Sequence, residues 1–276
     1  MALNSVNTNV GAMIALQNLS KTNSELATVQ SRINTGLKIG SAKDNGSIWA
    51  IAQGQRAEVG ALNAVKDSLQ RGQSSVDVAL AAGESVSDLL LQLKEKALAA
   101  TDTSLTTAAR NALNEDFTSI RDQIQTVVDN AEFNGVNLLN GSVTAGFAAL
   151  ANVAGDSITV NDEDMSLSGS IVTLGASDDI STTTNASDAL AAVDASIENV
   201  SAALARLGTG SKSLGTHLNF VTKLQDTLEA GVGNLVDADL AKESARLQAL
   251  QTKQQLGVQA LSIANSSTSI LLGLFR

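Results

Sequence analysis

Apolar residues recur at both ends of this chain at spacings that gather them on one side of a helix. Leu19, Leu26 and Ile33 fall seven positions apart, with Ala12, Leu16 and Leu37 on the same stripe. Toward the other end, Val236, Leu240, Leu247, Leu250, Leu261, Ala264 and Leu271 keep alternating spacings that stay on one coiled-coil seam. Asn23, Gln30, Gln254 and Gly257 interrupt these seams. Neither helix has an apolar partner within itself, so the pattern predicts that the two ends pair with each other and with neighbouring copies. Two ordinary core helices would show the same period; the length of these helices and their place at both extremities favour assembly. The candidate assembly residues are Leu16, Leu19, Leu26, Ile33 and Leu37 near the start, and Leu240, Leu247, Leu250, Leu261 and Leu271 near the end.

The intervening pattern orders the rest. A helix is expected from about Asn4 to Asn34, then a polar connector over 36–46 whose Gly36, Gly40 and Gly46 form a candidate hinge. A second helix is expected from about Ser47 to Ala100, on the order of 80 Å at 1.5 Å per residue. Its glycines at 54, 60, 72 and 83 weaken it in isolation, so packing must hold it together. A third helix is expected over about Leu105 to Asn130, followed by turns at Asn134-Gly135 and Asn140-Gly141. Ser157–Val160 and Ser170–Leu174 read as β-type runs on either side of an acidic loop, Asn161–Asp164. Helix returns from about Asn185 to Glu229 and passes through Gly231 and Gly233 into the terminal helix.

The fold class is therefore mainly α: a long antiparallel helical bundle or coiled coil with paired N- and C-terminal helices and a small β-hairpin region, about 141–180, at the outer tip. The expected division is an inner unit of 1–44 with 236–276 and an outer helical unit of 45–235.

Composition sharpens this picture. Aromatics make up 2% of the 276 residues, so the core must be built from Ala, Leu, Val and Ile, which suit close helix packing. There is no Pro, so neither a missing helix donor nor slow prolyl isomerisation hampers folding. There is no Cys, which excludes disulfides, thiolate catalysis and Cys-based zinc sites. That composition serves a chain threaded unfolded through a channel and folding quickly beyond it. A net charge of −10 without any basic run argues against nucleic acid or an anionic membrane as main partner. No apolar stretch approaches the roughly 20 residues of a membrane span. The first charged side chain is Lys21, so the start lacks the basic and apolar regions of a cleaved secretory signal.

Catalytic, cofactor and metal residues are not found. The single His217 excludes His clusters and most Ser–His pairs. The run from Gly208 to Ser213 lacks the glycines and preceding strand of a phosphate loop and reads as helix-breaking glycines beside a Lys. The acidic loop at 161–164 lacks the glycine and final glutamate of an EF-hand loop and reads as a solvated hairpin tip.

Several short motifs then converge. Val6-Asn7-Thr8-Asn9, Arg32-Ile33-Asn34-Thr35-Gly36-Leu37-Lys38-Ile39, Ser41-Ala42-Lys43-Asp44 and Ala50-Ile51-Ala52 resemble the N-terminal signature of bacterial flagellin. Glu132-Phe133-Asn134-Gly135-Val136-Asn137-Leu138-Leu139 is similar to that family's turn after the third helix. Asp237-Ala238-Asp239-Leu240-Ala241-Lys242-Glu243, Ala264-Asn265 and Leu271-Leu272-Gly273-Leu274-Phe275-Arg276 resemble its C-terminal signature. The resemblance covers about 1–140 and 185–276; the Pro that often follows the Ala-Asn is replaced by Ser266-Ser267-Thr268, and the outer insert is short.

The resemblance implies a non-enzymatic, secreted structural subunit of the extracellular flagellar filament, the propeller of swimming motility. Its partners would be itself, alone or mixed with other flagellins, and the flagellar type III export apparatus with its chaperone, cap and junction proteins. It implies no cofactor, no nucleic acid and no membrane insertion. A hook–filament junction protein shares such termini but carries a larger middle, and a cytoplasmic helical-bundle enzyme or scaffold is the alternative from another class.

Overall fold

The computed structural model describes residues 8–273, with side chains for 8–266. Its helices are α1 (Val10–Thr35), α2 (Gly46–Ala100), α3 (Thr107–Asp129), α4 (Thr183–Val236) and α5 (Leu240–Gly273). Its strands are β1 (Glu132–Phe133), β2 (Val136–Asn137), β3 (Phe147–Leu150) and β4 (Ser157–Val160). The fold is mainly α, with two small antiparallel hairpins, β1–β2 and β3–β4. Residues 4–7, where the first helix was expected to begin, lie outside the described residues. The chain divides into two compact units, Met1–Ala57 with Thr227–Arg276 and Glu58–Asp226. α2 and α4 contribute residues to both.

In the unit over 58–226, α2 and α4 run antiparallel. Lys94 pairs with Asp194 at 2.7 Å, the Ser211 hydroxyl donates to Asp77 at 3.2 Å, and the Gln225 amide donates to Asn63 at 2.8 Å. These contacts keep a nearly constant sum of residue numbers, which is the mark of one continuous register. The seam is closed by Leu69, Val76, Leu90, Leu93, Leu207 and Leu214, all buried. Two of the α2 glycines are packing sites: a Cβ at Gly83 would lie 2.7 Å from the Leu204 side chain, and one at Gly72 would lie 2.6 Å from the Phe147 ring. Glycine costs helix propensity here but admits neighbours that no larger residue would. α3 is capped by Thr106, whose hydroxyl accepts from the Ala109 amide at 3.2 Å, and buries Phe117, Ile124 and Val128.

The β region differs from expectation in three places. Asn134 and Gly135, with φ of 52° and 80°, form a tight turn that closes a hairpin of its own. Ser157–Val160 is a strand, but its partner is Phe147–Leu150 and not the run at 170–174. That run is no strand, because its backbone is satisfied by helix side chains. The Thr173 amide donates to the Ser196 hydroxyl at 3.0 Å, and the Ile171 carbonyl accepts from the Asn199 amide group at 3.2 Å. Ile171, Val172 and Leu174 are apolar because they lie buried along this path, not because they alternate in a sheet.

Nor is the acidic loop a hairpin tip. Its Glu163 is buried and takes both Nε and Nη2 of Arg206, at 2.7 and 2.5 Å, while its amide donates to the Leu138 carbonyl at 2.8 Å. Burial and the neighbouring Asp164 and Glu163 push the Asp162 carboxyl above its ordinary range.

Helix α4 runs straight through two sites where glycines were expected to end helices. Gly208 and Gly210 lie in mid-helix, and a Cβ at Gly210 would lie 2.9 Å from the Val160 side chain. Gly231 and Gly233 are also helical, and the break falls after Val236, at 237–239. Glycine weakens a helix without ending it when packing on both sides holds the backbone in place.

Candidate assembly surface

The terminal unit is built on α1 against α5. Asn9 caps α1: its Oδ1 accepts from the Ala12 amide at 2.9 Å, and its Nδ2 donates to the Ala264 carbonyl at 2.7 Å. Further along, Gln254 Nε2 donates to Asn23 Oδ1 at 2.8 Å, and Arg32 Nη1 meets Glu243 Oε1 at 3.1 Å. A Cβ at Gly257 would lie 3.3 Å from Leu19. The pairing is therefore antiparallel, with 9 near 264, 19 near 257, 23 near 254 and 32 near 243.

This geometry explains the interruptions. Asn23, exposed on the flank of the α1 seam, reaches Gln254, and Gly257 leaves room for Leu19. Gln30 is exposed and not a seam position at all. The working seam of α1 alternates by three and four through Ala12, Ala15, Leu19, Thr22, Leu26, Val29 and Ile33. Of these only Thr22 and Val29 are fully buried. On α5 the same alternation runs through Glu243, Leu247, Leu250, Gln254, Gly257, Leu261 and Ala264, with Leu250 buried and the others short of it except Glu243. Ala15, Thr22 and Val29 escaped the reading of the sequence because it followed α1 at sevens, and Glu243 because the reading followed apolar residues alone. The alternation of threes and fours would have found the three on α1.

The remaining candidates lie elsewhere. Leu16 is 57% exposed and Leu240 49%, so neither is covered by the α1–α5 pairing. Leu37 stands beyond the helix, at the connector, and Leu271 lies outside the residues whose side chains are described. Val10, Met13 and Ile14 on α1 and Leu256, Val258 and Ile263 on α5 are also exposed by more than half. They were not singled out from sequence, since they fall off the seam that the period selects. Met13, Leu16, Gln17, Ser20 and Lys21 line a shallow groove along α1.

The connector over 36–46 is held at several points. Gly36 closes α1 in the left-handed region, φ 72°, where a side chain would be strained. Its carbonyl accepts from the Ala238 amide at 2.8 Å, and the Lys38 and Ile39 amides donate to the Val236 carbonyl at 2.7 and 3.2 Å. Ile39, Ala52, Val232 and Val236 form a small core here, with Trp49, the only Trp, packed against it. The Asp44 carboxylate accepts from the Ser41 amide, the Ser41 hydroxyl and the Gly40 amide, which hold its pKa below the ordinary 3.8. Gly40 and Gly46 have no positive φ.

No helix among the described residues is long and apolar enough to cross a membrane. The two chain ends thus form an antiparallel pair, half covered by each other, that carries further apolar residues on faces this chain does not cover.

Comparison with known proteins agrees. Residues 6–144 match the bacterial flagellin N-terminal helical region, and 190–275 match the bacterial flagellin C-terminal helical region. The chain is 61% identical over 276 residues to flagellin FljK of Caulobacter vibrioides, covering all of both chains. It is 40% identical over 281 residues to a flagellin of Brucella melitensis, covering 99% of each. Among solved structures, Bacillus cereus flagellin matches with a TM-score of 0.50 at 22% identity, over 56% of this chain and 88% of that one. A Vibrio parahaemolyticus protein assigned as flagellar hook-associated matches with a TM-score of 0.55 at 15% identity, over 70% of this chain and 100% of that one; at such identities these two speak for the fold alone. The chain belongs to the bacterial flagellin family. It is a short flagellin without a large outer domain, a structural subunit that polymerises into the extracellular flagellar filament used in swimming.

Proposed function

We propose that copies of this flagellin pack through the outward faces of α1 and α5, and that the subunit acts by assembly and not by catalysis. One observation carries the reading: Val10, Met13, Ile14 and Leu16 on α1, with Leu256, Val258 and Ile263 on α5, remain exposed after the two helices have paired. Contiguous exposed apolar side chains on paired helices mark an interface. Repeated without closure, one such contact makes a fibre. The half-buried seam residues Leu19, Leu26, Ile33, Leu247 and Leu261 gain the rest of their burial in the same step around the already buried Leu250, as do Leu37 and Leu240 beside the connector.

The division of 1–44 with 236–276 as inner layer and 45–235 as outer layer follows from this reading. So do export through the flagellar apparatus with a chaperone, and meetings with cap and junction proteins. A chain without Pro or Cys, which refolds without isomerisation or oxidation steps, supports passage in an unfolded state. The connector acts as the hinge between layers in a restricted sense. Gly36 carries the left-handed backbone, while Gly40 and Gly46 permit small adjustments around it.

Replacing Met13 and Ile14 together by Asp tests the packing surface. The expected result is folded subunit in the medium and no filaments. Filaments at normal yield would overturn the proposal.

A further inference from the structure

We infer that the ion pair Arg32–Glu243 sets the register of α1 against α5 and is kept for that purpose in preference to stability. The apolar seam alone leaves register ambiguous. Leu19, Leu26 and Ile33 repeat every seven residues, as do Leu250, Gly257 and Ala264, so sliding one helix by a heptad again places small or apolar residues face to face. The polar positions break that degeneracy. In the observed register Asn23 meets Gln254 and Arg32 meets Glu243. Slid by seven in one direction, Arg32 comes opposite Leu250 and Asn23 opposite Leu261. Slid by seven in the other, Glu243 comes opposite Glu25 and Asn23 opposite Leu247. Each slip strands a charge against a leucine or sets two carboxylates together.

The pair is a poor stabiliser. The side chains are 25% and 11% exposed, and two of their buried atoms, Arg32 Nε and Glu243 Oε2, have no hydrogen-bond partner. Buried ion pairs with incomplete hydrogen bonding are matched or exceeded in stability by apolar residues of similar size, whereas removal of one partner alone is costly. Fixing register is the best-attested use of such groups. On the proposed assembly reading, on which this consequence rests, register decides incorporation. A slip of one heptad displaces the outward face of one helix by about 10 Å relative to the other, so the exposed residues of the two helices no longer present one matched surface.

The absence of Cys makes the test clean. In the full-length chain, Asn23→Cys with Gln254→Cys reports the observed register under mild oxidation, and Gln30→Cys with Gln254→Cys reports the register slipped by seven. The parent is expected to cross-link the first pair at least tenfold more than the second. With Arg32→Leu and Glu243→Leu together, helical content should be retained while cross-linking of the second pair rises at least tenfold and filament yield falls. The charge swap Arg32→Glu with Glu243→Arg should restore the first cross-link and filament yield, where either single change does not. Unchanged cross-linking in the Leu–Leu variant overturns the register role. Slipped cross-linking with normal filaments leaves that role standing and overturns the assembly reading beneath it.

Discussion

The α2–α4 seam and the α1–α5 seam are both antiparallel helix pairs built from small and aliphatic residues, yet they end in different states. The first buries Leu69, Val76, Leu90, Leu93, Leu207 and Leu214 to 3% exposure or less. Among the described residues the second fully buries only Thr22, Val29, Glu243 and Leu250, two of them polar, and leaves large apolar side chains in solvent. α3 and the β3–β4 hairpin supply the former with additional neighbours within its own unit. The terminal pair has only itself and the small core at the connector. Ordering a residue costs roughly 1–2 kcal/mol of entropy, offset by burial at about 25 cal/mol per Å². One unit meets that cost within the chain; on the proposed assembly reading the other meets it only with further copies.

The sharpest way to break this contrast is a charge in the α1–α5 seam. Leu26→Asp or Leu247→Asp is expected to abolish filaments while leaving the unit over 58–226 folded, because the carboxylate enters a seam that polymerisation desolvates. Filament yield and circular dichroism of the soluble subunit read the two effects separately. Next in size is Phe117→Ala, which should destabilise the 58–226 unit by about 3–5 kcal/mol in chemical denaturation. Met13→Ala, at an exposed position, should leave the free subunit within about 0.5 kcal/mol of the parent and raise the critical concentration for polymerisation. Gly83→Ala should cost the 58–226 unit less than Phe117→Ala, at roughly 1–3 kcal/mol, since its Cβ would crowd Leu204 at 2.7 Å. A smaller loss of about 1 kcal/mol is expected in helix–coil equilibrium for Asn9→Ala, which removes the cap of α1.

The smallest effect is acid-dependent. Asp44 has a folded pKa below its ordinary 3.8, first through the Ser41 amide, so its contribution to the connector is present above that value and lost as pH falls through the lower folded one. Asp44→Ala should therefore weaken the terminal unit at pH 5–7 and converge with the parent in stronger acid, as followed by Trp49 fluorescence.

Helix existence was legible in the sequence, because long stretches free of Pro with apolar residues at threes and fours leave few alternatives. The antiparallel pairing of the ends was legible too, though α1 was read on a stripe that took in Leu16 and missed Thr22 and Val29. What escaped depends on tertiary partners. Ser170–Leu174 carries β-type residues but spends its backbone hydrogen bonds on α4 side chains. Gly208, Gly210, Gly231 and Gly233 look like helix ends and are not. Glu163 looks like a solvated acid and is instead seated on Arg206. Asn23 and Gln254 were legible as polar residues in the seams, but that they meet each other across 231 positions was not, and the place of Glu243 in the seam escaped altogether.

The central claim is that the terminal helices complete their folding only with neighbours. Amide exchange along the purified free subunit measures it directly. The account predicts strong protection across α2, α3 and α4 within 58–226, fast exchange over 10–34 and 240–270, and protection of those two segments once filaments form. Strong protection of both segments in the free subunit, equal to that of the inner unit's larger neighbour, would contradict it.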